Sequence, residues 1–207
     1  MAARRVYLLS PASTSGRRAE ILLSPRADFE LARRLRSPGG APLGEVMAFL
    51  SGLYFRGKLA YARRFAPDPD AVRVITAGAG LLAPETSVTP ARLRAFAGCA
   101  IDAANPRYCA PLLADARALG ACEAVLLGSI ATPKYVAPLL EVFGERLLFP
   151  LDFVGRGDMS RGGLLLRRVA EGRPLDYVPV RDAVRRGPRP ARLPPLPRPA
   201  ARRGAGR

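Results

Sequence analysis

Strand-like runs alternating with helical patterns predict one α/β domain over residues 1–180, with a mixed or mostly parallel sheet flanked by helices. A disordered Pro/Arg-rich tail is expected over 181–207. Three observations carry this. Four short apolar runs of strand length are separated by segments whose apolar residues recur at threes and fours. A chain of 207 residues with 49% hydrophobic content can bury one substantial core. Beyond Arg181 a Pro, Arg, Ala and Gly mixture offers too little apolar surface to offset the entropy of ordering.

Val6-Tyr-Leu-Leu-Ser10 reads as a buried strand, ended by Pro11 and a Ser/Thr loop. Ala27 to Arg36 has helical spacing before a Pro-Gly-Gly break. Leu43 to Phe55 and Arg56 to Phe65 form one long or two consecutive helices, with Val46, Phe49, Leu50, Leu53, Tyr54, Leu59, Tyr61, Ala62 and Phe65 on the apolar positions. Ala71 to Thr76 is a second strand, opening into Ala77-Gly-Ala-Gly80. Thr89 as N-cap and Pro90 at the first helical position start the next helix. Tyr108 to Leu119 is a helix, Ala124 to Gly128 a third strand and Pro133 to Phe143 the helix after it. Arg146 to Phe149 is a fourth strand, and Asp176 to Val180 a final edge strand.

The chain has no His, which eliminates a His general base, a Ser-His-Asp triad and His-ligated zinc. No cofactor or metal is expected. Cys99, Cys109 and Cys122 are odd in number and form no CxxC pair, so three buried reduced thiols are the expectation. No apolar stretch approaches the roughly 18–20 residues that span a bilayer, and the N-terminal apolar run is too short for a secretory signal. A cytoplasmic location is therefore expected, with no membrane partner; no feature specifies an oligomeric state.

The net charge of +16 points to polyanions, but the eight arginines from Ala183 to Arg207 carry half of it, leaving +8 for the rest (16 − 8). Of the 33 basic residues only Lys58 and Lys134 are lysine, in a composition that a GC-rich genome produces. A lysine retained in such a chain needs its compact ammonium or its tunable pKa. That argument falls on Lys134, in Ser129-Ile-Ala-Thr-Pro-Lys-Tyr135, and less strongly on Lys58, in a basic amphipathic stretch.

The segment Gly155-Arg-Gly-Asp-Met-Ser-Arg-Gly-Gly163, leading into Leu164-Leu-Leu-Arg-Arg168, is read as a glycine-rich loop opening a helix, with Asp158 or Ser160 as cap. Arg156, Ser160 and Arg161 would hold phosphate there; the alternative is a loop that merely turns the chain. In open α/β sheets ligands gather beyond the strand ends. Ser10-Pro-Ala-Ser-Thr14, Thr76-Ala-Gly-Ala-Gly80 and Gly128-Ser-Ile-Ala-Thr132 are the strand-end loops expected to converge with the arginine loop. Gly78-x-Gly80 is not a dinucleotide fingerprint, no GxxxxGK[ST] is present, and the Arg-Gly-Asp triplet is a chance match.

The order of these loops resembles the bacterial peroxide-stress-response YaaA family. Leu8-Leu-Ser-Pro-Ala-Ser-Thr14 is similar to its strand into Ser-Pro-Ala-Lys-Thr, and Gly80-Leu-Leu-Ala-Pro84 to its Gly-Leu-Leu-x-Pro segment. Gly128-Ser-Ile-Ala-Thr-Pro-Lys-Tyr135 occupies the place of its Ala-Ser-x-Glu-Tyr, and Gly155 to Arg161 is similar to its Lys-x-Ala-Arg-Gly-x-Met-Ser/Ala-Arg. The likeness spans roughly residues 5–180. Ser13 replaces the family lysine of the first loop, and Lys134 its acidic residue. The resemblance implies an α/β fold with a DNA-binding helical element, a cytoplasmic protein and a role in limiting oxidative damage. It implies no settled reaction.

Two functions follow as expectations. The first is nucleic-acid or nucleotide binding, with Arg156, Ser160 and Arg161 on phosphate, Ser10, Ser13 and Thr14 donating hydrogen bonds, and Lys134 and Tyr135 offering charge and a stacking ring. The second is a nucleobase- or nucleoside-processing enzyme, cleaving or exchanging the glycosidic bond, whose acid/base groups are Lys134, Asp158 or Glu85. A non-catalytic domain docking other proteins through its Pro/Arg tail is the third.

Overall fold

The first strand, β1 (Arg5–Leu9), is buried from Val6 to Leu9, on both faces. A short strand covered on both sides needs apolar residues throughout rather than alternation, and that is the position of a central parallel strand. The computed structural model of the chain describes residues 4–185, 187–191 and 193–194. After β1 come α1 (Arg17–Leu23), α2 (Glu30–Arg36), β2 (Ala41–Pro42), α3 (Leu43–Ser51) and α4 (Leu53–Phe65). Gly52, at φ 68°, separates the last two, a left-handed backbone that glycine adopts without steric cost.

The chain continues through β3 (Val72–Ile75), β4 (Leu81–Leu82), β5 (Ser87–Val88), α5 (Pro90–Ala97), α6 (Pro106–Ala118), β6 (Glu123–Leu127), α7 (Pro133–Phe143), β7 (Leu147–Pro150), α8 (Asp158–Glu171) and β8 (Tyr177–Pro179). The α/β fold read from the sequence is present. Six strands form one sheet in the order β4-β3-β1-β6-β7-β8; β3, β1, β6 and β7 run parallel, and β4 and β8 are antiparallel edges. β2 and β5 pair separately. Thr89 caps α5, its hydroxyl accepting from the Arg92 amide at 3.4 Å.

Between β1 and β3 the chain moves to one side of β1; from β3 to β6 and on to β7 it moves to the other. Right-handed crossovers in opposite directions place their helices on opposite faces of the sheet. The packing agrees: α4 lies along α8 and α3, and α6 along α7. The reversal falls between β1 and β6, so the loops leaving their C-terminal ends part there and open a crevice.

The segment read as a glycine-rich loop is half helix, because α8 begins at Asp158. Its N-cap is Gly157, and neither Asp158 nor Ser160 supplies a capping hydrogen bond. Gly162 lies inside the helix, where a Cβ would meet the Leu53 carbonyl and Tyr54 Cα at 2.9 Å; a Cβ on Gly57 would meet the Gly162 carbonyl oxygen at 2.8 Å. The pair lets α4 and α8 touch backbone to backbone, which brings the start of α8 over α4. Gly162→Ala should therefore cost about 1–2 kcal/mol, overpacking outweighing the gain in helix propensity. Gly163→Ala, with nothing within 4 Å of its Cβ, should be neutral or stabilising by up to about 1 kcal/mol. Urea denaturation of both variants checks this; equal effects would remove the close approach as the reason for glycine.

Of the expected tail, residues 181–185 continue from β8: Arg181 pairs with Glu145 at 3.0 Å and Ala183 is buried. Pro188 and Pro190 lie against Gly155, and Leu193 packs on the core. Residues 186, 192 and 195–207 of that segment lie outside the described residues. Among the described residues no helix is long and apolar enough to cross a membrane. Cys99 and Cys122 are buried free thiols, while Cys109 is only half-buried.

Candidate functional site

A cavity of about 330 Å³ sits at the parting of the β1 and β6 loops. Ser10 to Ser13 from the end of β1, Ser129 from the end of β6, Ser51, Tyr54 and Lys58 from the α3–α4 pair, Lys134 and Tyr135 from the first turn of α7, and Asp158 from the first turn of α8 line it. Both lysines of the chain are in this one cavity, although they lie 76 positions apart (134 − 58) and the other basic residues are arginine.

Lys58 is the buried one, 1% exposed. Its Nζ donates to the Ser10 carbonyl oxygen at 2.5 Å and to Ser10 Oγ at 2.9 Å. It also lies 4.4 Å from the centre of the Tyr54 ring and 5.0 Å from that of Phe55. Ser10 Oγ spends its own proton on the Leu127 carbonyl at 3.3 Å, so it faces Lys58 as an acceptor. Gly128 makes room for this arrangement: a Cβ there would meet Ser10 Cβ at 2.9 Å. The serine thus ties the amine to the ends of both central strands.

Burial pushes the Lys58 pKa down from its ordinary 10.5 to about 7; the Asp158 carboxylate raises it in part, and the Arg161 guanidinium lowers it. Taking an ammonium out of water disfavours its charged form, and no salt bridge compensates here. Among the described residues Lys58, Lys134 and Asp158 form no ion pair. Tyr54, 6% exposed, leaves its hydroxyl without a hydrogen-bond partner. Burial drives its pKa well above the ordinary phenol range, so it stays protonated and is a donor in search of an acceptor. Tyr135 is pushed up to about 12 by burial and then by Asp158. An amine near neutrality, an exposed carboxylate and an unpartnered phenol around one cavity are the means for proton transfer or nucleophilic attack.

The residues singled out in the sequence divide. Ser10, Ser13, Lys134, Tyr135 and Asp158 come together in the cavity; Thr14 does not line it. Arg156 and Ser160 correct the expectation of a single phosphate loop. Arg156 Nη1 donates to Ser160 Oγ at 3.2 Å and Nε to the Asp152 carbonyl at 2.9 Å, and both side chains line a different depression. That depression is larger, about 770 Å³, but it lies between α8 and residues 189–191 and 193–194 and holds arginines without a carboxylate or a buried amine among the described residues; the buried lysine and the Asp158 carboxylate line the smaller one. Arg161 folds back, its guanidinium donating to the Phe153 carbonyl at 3.0 Å and 3.2 Å; it stands close enough to the Tyr54 hydroxyl to pull that pKa down in part, and its charge lowers that of Lys58. Glu85 pairs with Arg63 at 2.8 Å, away from the cavity. The Thr76–Gly80 loop closes on itself, Thr76 Oγ1 donating to the Gly80 carbonyl at 2.9 Å, and does not join the other two loops. Sequence alone points to Lys134 more strongly than to Lys58 and gives Tyr54 only as an apolar helix position.

Neither the protein-family models, the curated proteins nor the solved structures contain a match to this chain.

Proposed function

We propose that this protein is a nucleobase- or nucleoside-processing enzyme that cleaves or exchanges a glycosidic bond in the cavity between β1 and β6. The observation that carries the reading is Lys58: a buried, unpaired amine held by Ser10 in a polar cavity that also contains the chain's other lysine. A volume of about 330 Å³ is at the small end of ligand sites and suits one nucleoside. Lys58 is the reactive amine. Asp158, exposed at the start of α8, exchanges a proton with the departing base. Lys134 and Tyr135 at the mouth hold the rest of the substrate by charge and ring contact. An ionisable group poised near working pH is the choice for proton transfer, and with no histidine in the chain a buried lysine fills that place.

Incubation with a panel of ribo- and deoxyribonucleosides, followed by chromatography of released base, tests this. Wild-type protein should release base from at least one of them, and Lys58→Met should do so roughly 1000-fold more slowly. No release of base from any nucleoside or from a single-stranded oligonucleotide would remove the reading.

The charge supports a second reading, nucleic-acid binding, since about +8 remains once the tail's eight arginines are set aside. In that reading the substrate nucleoside is part of a strand, and the cytoplasmic role in limiting oxidative damage implied by the likeness to the YaaA family becomes a role in handling damaged nucleotides. Binding to a single-stranded oligonucleotide would then weaken steeply with salt, whereas turnover of free nucleosides would not.

A further inference from the structure

We propose that Lys58 is a covalent nucleophile that attacks the anomeric carbon of the substrate's sugar and carries it as an imine. The inference rests on the reading of the cavity as a nucleoside-processing site and specifies the reacting atom and the substrate class, an aldose bearing a leaving group at C1.

The contacts at Nζ are ones that a neutral, attacking amine can make without losing its lone pair. A neutral amine has two N–H groups and one lone pair. The two N–H groups are taken by the Ser10 carbonyl oxygen and Ser10 Oγ, and Ser10 Oγ has no proton to offer because it donates to Leu127. In the deprotonated form the lone pair is then the free valence of the nitrogen. The Tyr54 ring beside it bears the unpartnered hydroxyl, a donor suited to a sugar oxygen. Asp158 lines the same cavity and makes no salt bridge among the described residues, so its carboxylate is free to relay a proton.

The step balances without an external oxidant or reductant. The nitrogen lone pair forms the N–C1 bond while the C1–base bond breaks, its electrons leaving with the base. One proton of the resulting ammonium passes through the Asp158 carboxylate to the base. The remaining nitrogen lone pair then forms C=N as the ring C1–O bond breaks, and the ring oxygen takes a proton from water. The hydroxide adds to the imine carbon, the carbinolamine collapses, and its hydroxyl proton returns to nitrogen. Free aldose and the Lys58 amine result; the sum is nucleoside plus water giving base plus sugar.

The chain's two lysines make the test specific. The full-length protein is incubated with cyanoborohydride and either 2-deoxyribose 5-phosphate or an oligodeoxynucleotide containing one abasic site, both of which present an aldehydic C1. Reduction of C=N leaves a stable secondary amine, located by peptide mass mapping. The adduct is expected on Lys58, at least 20-fold above Lys134 and the N-terminal amine, and absent from Lys58→Met. Labelling by the sugar phosphate alone assigns the chemistry to free nucleosides, and labelling by the oligonucleotide alone to a strand. Equal labelling of all amines overturns the proposal in the wild-type protein, whether or not the variant folds. Lys58-dependent base release without an adduct overturns the covalent step while leaving the enzyme reading intact. Neither release nor adduct overturns both.

Discussion

Lys58→Met should be more stable than wild type at pH 7 and should lose that advantage as the pH rises. Lys58 has a pKa of about 7 in the folded protein against an ordinary value of 10.5, so between those limits the unfolded chain binds the additional proton. The contribution of Lys58 to wild-type stability then climbs with pH across that window, approaching about 1.4 kcal/mol per pH unit for one proton, and is lowest and flat below pH 7. Met is nearly isosteric and does not titrate. It gives up two hydrogen bonds to Ser10, of about 1 kcal/mol each, but ends the burial of a charge without a counter-ion. Urea denaturation at pH 7, 8 and 9 should show the difference between the two proteins changing by about 2–3 kcal/mol. Cys109 and Cys122, whose burial raises their pKa values, act in the opposite sense above pH 9 but cancel in the difference. Parallel pH profiles would mean that Lys58 keeps its proton in the fold, and the nucleophile would go with it. A substitution that stabilises the protein while removing turnover is what a site maintained at the expense of stability predicts.

The frame was legible because it depends on short-range pattern. Val6 to Leu9 and Ala124 to Leu127 are apolar on consecutive positions and flank one another at the centre of the sheet, as parallel strands buried on both faces require. Pro133 to Phe143 was bounded by its proline and its following glycine, and α7 has those bounds. The start of α8 was misplaced because four glycines in nine residues read as loop; Gly162 is instead a contact, and only the position of α4 reveals that. The two-residue strand β4 takes its place from pairing with β3 rather than from its own residues, whereas the edge strand read over Asp176 to Val180 is present as β8.

The site was half legible for a similar reason. Strand-end loops rich in serine drew attention to Ser10 and Ser129, and the scarcity of lysine to Lys134. The same scarcity applied to Lys58, and one further signal lay in the helix. Tyr54, Phe55, Leu59, Tyr61 and Ala62 mark the buried stripe of α4, and position 58 falls on it, four residues after Tyr54. A lysine in an apolar slot is either an error of pattern or a functional group. Arg156 and Ser160 were assigned to phosphate on the chemistry of their side chains, which does not tell whether neighbouring carbonyls and hydroxyls have already satisfied them.

Asp158→Asn should reduce turnover by about 100-fold or more with little change in stability. Asp158 is exposed, in the first turn of α8, and makes no capping hydrogen bond, so its contribution to the fold is its charge at the helix N-terminus, about 0.3–1 kcal/mol. Asn keeps the shape of the side chain and loses the ability to relay a proton. The loss should fall on kcat, with KM nearly unchanged, because substrate is held by Lys134 and Tyr135. A second readout separates this role from a structural one. The Asp158 carboxylate raises the pKa of Lys58, so its removal should shift the limb of the pH–rate profile that reports deprotonation of Lys58 toward lower pH. A 100-fold loss with an unshifted limb would place Asp158 on the leaving base alone, out of electrostatic reach of the amine. Unchanged kcat would remove it from the reaction and leave Lys134 as the group at the cavity mouth able to protonate the base.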